Sequence, residues 1–219
     1  DRIAVVSGKG TPAQKVAVFE LHGKGGSSEG LFRHVSGEVD VEGVVDVIYP
    51  VEASAAGYKV PSYQAYSSGT YDPKAAVLSW HGDTGIPDEG ITMANETAII
   101  CLQYTGASDQ TISSVKVKVF TGETNYDEYA VGSYDGVALS DKAVQFYVSV
   151  PEYRQECKVV FETVLNDRSM MRIQSEGKTF IAGDLYRFPP VPFIAEETVS
   201  SFAENLRPHP RLLFPAGHE

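Results

Sequence analysis

The chain is poor in cysteine, with only Cys101 and Cys157 among its 219 residues. That excludes a disulfide-dense scaffold and a multi-cysteine zinc site. The five histidines, His22, His34, His81, His209 and His218, are scattered, and no two stand at i,i+2 or i,i+4. They read as surface loop residues rather than a local metal motif. Positive charge is scarce as well: 18 Lys and Arg face 29 Asp and Glu, for a net charge of -11 and a pI near 4.9. A negative field of that size repels phosphate backbones and excludes nucleic acid as a partner. No apolar run approaches the roughly 20 residues of a membrane-crossing helix. No Gly-x-Ser-x-Gly stands in the chain, nor a cysteine with a matching His and Asn series. Paired acids for glycoside cleavage are spatial and leave no linear mark. The chain reads as non-catalytic, with no cofactor and no metal.

What is present is alternation. Hydrophobic residues make up 42% of the chain, enough for a real core, and Gly 20, Pro 12, Tyr 12 and Phe 10 favour strands joined by tight turns. Val115, Val117 and Val119 share one face with Lys116 and Lys118 on the other. Val144, Phe146, Val148 and Val150 point one way, as do Cys157, Val159 and Phe161. These are half-buried antiparallel strands. Further strands are predicted at 3–6, 15–21, 39–49, 97–104, 126–131, 170–174 and 178–188. Turns are predicted at Gly106-Ala107-Ser108-Asp109, Thr121-Gly122-Glu123, Ser133-Tyr134-Asp135-Gly136, Asn166-Asp167 and Ser175-Glu176-Gly177. No amphipathic helix longer than about two turns stands before residue 190. Strands without intervening helices predict an all-β, antiparallel two-sheet sandwich over 1–190. The cluster Pro189-Pro190-Val191-Pro192 then opens a tail over 191–219. Its segment Ile194–Leu206 is the best helical stretch, so the tail is expected to be short and partly helical.

Two glycine clusters invite a phosphate-binding reading. Ser7-Gly8-Lys9-Gly10-Thr11 follows an apolar strand, and His22-Gly23-Lys24-Gly25-Gly26-Ser27-Ser28 comes soon after. A phosphate loop needs a second Gly-Lys-Ser/Thr opening a helix. Thr11-Pro12-Ala13-Gln14 leads instead into a strand pattern, and the second cluster lacks a lysine before its serines. Both read as turns.

The order of motifs in the middle of the chain resembles the fimbrillin-like proteins of Bacteroidetes. Val47-Ile48-Tyr49-Pro50 precedes Val60-Pro61-Ser62-Tyr63-Gln64-Ala65-Tyr66, then Tyr71-Asp72-Pro73. Met93-Ala94-Asn95, Thr111-Ile112-Ser113-Ser114-Val115 and the closing Lys178-Thr179-Phe180-Ile181-Ala182-Gly183-Asp184-Leu185-Tyr186-Arg187-Phe188 follow in that family's order. The resemblance covers about residues 15–190. It implies a transthyretin-like sandwich of the fimbrillin N-terminal-domain type. It also implies export, a lipoprotein anchor removed with the leader, and residence on the cell surface, outer membrane or periplasm. The role it implies is adhesion or fimbrial assembly, with a protein or a cell-surface glycan as partner and membrane contact only through the anchor.

The tail resembles something else. Asn205-Leu206-Arg207-Pro208-His209-Pro210-Arg211-Leu212-Leu213-Phe214-Pro215 is similar to the segment that opens the helical toroid of heparinase-like polysaccharide lyases. The alternative this implies is an N-terminal accessory module that binds or presents glycan for a polysaccharide-degrading enzyme.

Within the residues themselves, Tyr58, Tyr63, Tyr66, Tyr71 and Trp80 are the best contact candidates. Their rings could stack on sugars or anchor a protein, or could cover an edge of the sandwich. Cys101 and Cys157 could be a disulfide across a long loop or two buried thiols, and the spacing favours the thiols. Asp40, Glu42 and Asp46 alternate on a predicted strand face, and read as solvated carboxylates rather than a calcium site.

Overall fold

The computed structural model describes residues 1–23, 29–55 and 59–196. Antiparallel strands build a two-sheet sandwich, as the alternation predicts. One sheet holds β8 (Thr97–Thr105) at its centre with β11 (Val144–Pro151) antiparallel beside it. The other runs β13–β12–β9–β10, from β9 (Thr111–Phe120), β10 (Tyr126–Ala138), β12 (Tyr153–Leu165) and β13 (Met170–Phe180). Between them lie Ile100, Leu102 and Tyr104, Phe146, Val148 and Val150, Val115, Val117 and Val119, and Val159 and Phe161, all buried. Each is the inward member of its alternating pair.

Three short strands close the sandwich in parallel orientation, which alternation alone does not reveal. β5 (Tyr63–Ala65) pairs parallel with β10, extending that sheet by one strand. β14 (Leu185–Arg187) and β15 (Val191–Pro192) lie parallel to β8, one after the other. Pro189 and Pro190 cannot donate to a ladder, so the pairing lapses between them. There the Gln103 carboxamide donates to the Phe188 carbonyl at 2.8 Å. Contacts with the sandwich continue past the prolines: Phe193 is 6% exposed, and Glu196 N donates to the Met170 carbonyl at 2.7 Å.

The first half of the chain adds a sheet that alternation did not foresee. Its order is β3–β2–β1–β4–β6–β7, with β1 (Arg2–Ser7), β2 (Lys15–His22), β3 (Leu31–Gly37), β4 (Val45–Tyr49), β6 (Leu78–Gly82) and β7 (Ala94–Asn95). Ala4, Val6 and Ile48 on one face join the main core. Ile3, Val5, Val45 and Val47 on the other face form a smaller core, roofed by Phe19, Val39, Trp80, Ile91 and Met93. Because both faces of β1 are buried, Ile3–Val6 reads as a continuous apolar run rather than an alternating one, and β4 is interrupted only by Asp46.

Several boundaries differ from the sequence reading. The strand expected over 39–49 begins only at Val45, because 39–44 loops over the smaller core. The turn expected at 133–136 is a bulge inside β10: the ladder with β9 breaks between Gly132 and Val137, and Tyr134 stands fully exposed. The turn expected at 175–177 likewise lies within β13, with Gly177 at φ 60. The strand expected over 178–188 divides instead: β13 ends at Phe180 and β14 starts at Leu185. Gly183, at φ 88, turns the chain there and donates to the Thr97 carbonyl at 2.9 Å. Ile194–Glu196 is not helical, and the rest of the expected helix and the lyase-like segment lie outside the described residues. Gly8–Thr11 is a turn, as expected: Thr11 N donates to Gly8 O, and Gly10 N to the Gln14 carboxamide. Most of the second glycine cluster lies outside the described residues.

The outer face of the β9–β10–β12–β13 sheet carries a charge ladder. Lys118 Nζ meets Glu162 at 2.8 Å and Glu128 at 3.7 Å, Arg172 meets Glu162 at 2.9 Å, and Lys116 meets Glu128 at 3.2 Å. Burial would raise the pKa of Glu162, but the hydrogen bonds from Lys118 and Arg172 outweigh it and hold the carboxyl below its usual range.

Deep in the core the Tyr104 hydroxyl has no well-formed partner, and the Thr163 hydroxyl lies near it. Burial pushes the Tyr104 phenol up to about 12, and the proximity of Thr163 only partly offsets it. Tyr104→Phe should therefore leave stability within about 0.5 kcal/mol or raise it, since an unsatisfied buried hydroxyl is removed. Phe161→Ala, which empties a fully packed site, should cost about 3–5 kcal/mol. Urea unfolding of the two variants checks the contrast.

Candidate functional site

The segment that carries the family resemblance wraps one open side of the sandwich. Gln64 of β5 points inward and is 0% exposed. Its Nε2 donates to the Ser149 carbonyl at 2.7 Å and its Oε1 accepts from Ser149 N at 2.9 Å. The carboxamide thus pairs with β11 as a peptide group would. One side chain joins the last strand of one sheet to the last strand of the other. Tyr66 continues the seal, its ring 5.1 Å from that of Phe146. Asp72 fixes the following turn: its two oxygens accept from Ala65 N at 2.8 Å and Lys74 N at 3.0 Å, and Pro73 opens the short 3₁₀ turn at Pro73–Ala75.

The closing motif works alike. Phe180 meets Tyr186 at 5.0 Å and Phe188 meets Phe161 at 4.8 Å, both edge-on, while Tyr186 Oη accepts from Ile181 N at 2.8 Å.

The candidate contact residues each meet different neighbours. Tyr63 is 63% exposed, and its hydroxyl lies 3.1 Å from where a Cβ on Gly132 would stand, so the ring crosses the outer face of β10 over a glycine. Tyr66 is half-buried against the core. Tyr71 sits beside Tyr49, whose hydroxyl is pushed up by burial and then by the Tyr71 and Glu52 oxygens. Trp80 covers Gly82, where an added Cβ would fall 2.1 Å from the indole ring, and it roofs the smaller core. Tyr58 lies outside the described residues.

Asp40, Glu42 and Asp46 do not share a strand face. Asp40 and Glu42 lie in the loop before β4, and Asp46 is 7% exposed. Asp46 Oδ1 bonds His81 Nδ1 at 3.0 Å across the β4–β6 ladder, and Lys9 Nζ lies 3.8 Å away. His81 Nε2 meets Asp83 at 3.2 Å. The three described histidines outside the tail therefore stand on strands, His22 in β2, His34 in β3 and His81 in β6, and not in loops as expected. Nothing in the linear spacing pairs Asp46 with His81; only the strand register does. Cys101 and Cys157 are both free and buried, and burial pushes both thiols up.

No family model matches the sequence, and no curated protein matches it. Among solved structures, the chain is similar to a candidate cell adhesion protein from Bacteroides fragilis, at 13% identity over 90% of this chain and 81% of that one, with a TM-score of 0.47. It is also similar to a candidate cell adhesion protein from Bacteroides ovatus, at 16% identity over 88% and 82%, with a TM-score of 0.42. A candidate adhesin from the same species is 9% identical over 90% and 87%, with a TM-score of 0.37.

Two predictions follow from the geometry of this region. Gln64→Leu leaves the Ser149 peptide unpaired on both sides and should cost about 2–4 kcal/mol, whereas Tyr63→Ala should cost about 1 kcal/mol or less; urea midpoints decide. For His81, both ring nitrogens face carboxylates, so the doubly protonated ring is favoured and its pKa is raised, through the Asp46 bond first and the Asp83 bond second. The folded pKa lies above the unfolded value of about 6.5, so the contribution is complete below that pH and is lost as pH rises through the folded value. In His81→Gln the stability difference from the parent should fade over that window. NMR titration of His81 and unfolding midpoints at pH 5 to 9 test it.

Proposed function

We propose that this chain is a non-catalytic module of an exported surface protein that acts in adhesion, of the fimbrillin-like kind. The observation that carries the reading is Gln64. The Pro-x-x-Gln-x-Tyr segment, the Asp-Pro pair and the Phe-x-x-Gly-x-x-Tyr-x-Phe closure carry the resemblance to that family. In the structure each has a separate task in holding one sandwich together. A chance likeness of motifs has no reason to fall on the positions that define the fold. Sealing by side chains at the sheet edges leaves the outer faces and rim loops for contact with a partner.

The reading is tested on cells and on beads. Antibody to the purified chain should label intact cells that express the native gene, without lysis. Beads coated with the chain should adhere to epithelial monolayers or to other bacterial cells above albumin-coated beads, and soluble chain should compete. Labelling only after lysis, or no adherence to any surface, overturns the proposal.

A further inference from the structure

The rim of the sandwich beside the β9–β10 turn holds a cleft of about 510 Å³, within the size range of small-ligand sites. Its floor is an irregular stretch of β12. Tyr153 pairs with Phe180 and Cys157 with Lys178, so Arg154, Gln155 and Glu156 face a single β13 residue, Thr179. On the other side β9 has already ended, with Phe120 opposite Lys158. Those three residues therefore have no register partner of their own in either neighbouring strand, and their side chains are exposed. Bulges of this kind concentrate at sheet edges and beside active sites.

The walls supply the rest. Phe120 is half-buried at the mouth, with the Tyr126 ring 5.2 Å away and the Lys158 ammonium 5.0 Å from its centre. Tyr153 donates to Asp127 at 2.7 Å, and Glu152 accepts from Arg154 Nε at 2.6 Å.

These groups discriminate among ligand classes. Among the described residues, no three His, Cys, Asp or Glu side chains are placed to hold a metal ion. Arg154 is already met by Glu152 and the Lys158 ammonium lies over the Phe120 ring, so an anion must compete with both contacts. An extended peptide needs evenly spaced backbone partners, and the three-against-one bulge breaks that spacing. An uncharged polyhydroxylated ring fits all the features. Its hydroxyls reach the Gln155 amide and the Arg154–Glu152 pair, while its C–H face lies against the part of Phe120 left exposed beside Lys158 and Tyr126.

We propose that this cleft binds a neutral saccharide. The inference rests on the adhesion reading and gives it a target class.

The test begins with the purified chain on an array of immobilised neutral oligosaccharides ending in glucose, galactose, mannose, fucose or N-acetylglucosamine, with sialylated and sulfated glycans beside them. A bound neutral sugar is then titrated, free, into labelled protein. At least one neutral oligosaccharide should bind and shift amides within 120–122 and 152–158. Gln155→Ala and Phe120→Ala should each weaken binding about tenfold, the worth of one well-made contact, while Tyr63→Ala should not. Gln155 is exposed, so its variant stays informative if the Phe120 variant fails to fold. Binding of no neutral glycan, binding of charged glycans or of an extended peptide alone, shifts confined to other regions, or unaltered affinity in Gln155→Ala overturns the proposal. On beads, parent and Gln155→Ala chains that adhere equally overturn the saccharide cleft and leave adhesion standing. Failure of the parent to adhere counts against adhesion itself.

Discussion

One buried carboxamide holds the two sheets in register along their open side. A sandwich of two sheets has edges, and each edge exposes a row of unpaired peptide groups. Where β10 and β11 diverge, Gln64 supplies a peptide-like group at the end of a side chain and satisfies the Ser149 N–H and C=O together. The same device recurs at Gln103, which bonds the Phe188 carbonyl where two prolines interrupt the strand beside β8. In both places a glutamine stands in for backbone that the chain cannot bring there. The burial of Gln64 makes this arrangement exacting, because a residue that fills the space without both a donor and an acceptor strands a peptide in the core.

Around that joint, polar groups are placed by register. Lys116, Lys118, Glu128, Glu162 and Arg172 meet only because four strands set them side by side. Asp46 and His81 are 35 residues apart and touch because β4 and β6 are antiparallel neighbours. The rim cleft likewise arises from a mismatch in strand length, β12 running on after β9 has stopped.

What was legible in the sequence follows from these differences. Strands with one wet face, such as Val115–Val119 and Val144–Val150, declare themselves by period two, and the sandwich with them. Bulges do not: Ser133–Gly136 and Ser175–Gly177 have turn composition yet continue their strands, because the ladder resumes beyond each, at Val137 with β9 and at Lys178 with β12. β3, β5, β6 and β7 escaped notice because they are short or exposed on both faces, so no apolar stripe marks them. The third sheet stayed hidden for that reason, although its central strands β1 and β4 were seen. Of the rim site, Phe120 and Tyr153 look like any strand aromatics; only the ladder shows that Arg154–Glu156 bulge out of register.

The course of the last described strands has a mechanical consequence. β14 and β15 lie along β8 in the same direction, and β1 is flanked by β2 and β4. A pull applied along the axis of β1 or of β14 and β15 meets the ladders beside them in shear. The hydrogen bonds beside each then carry load side by side and must yield as a group, not one after another like the teeth of a zip. A body tethered by such strands holds its shape under drag that would peel open a sheet pulled from its corner.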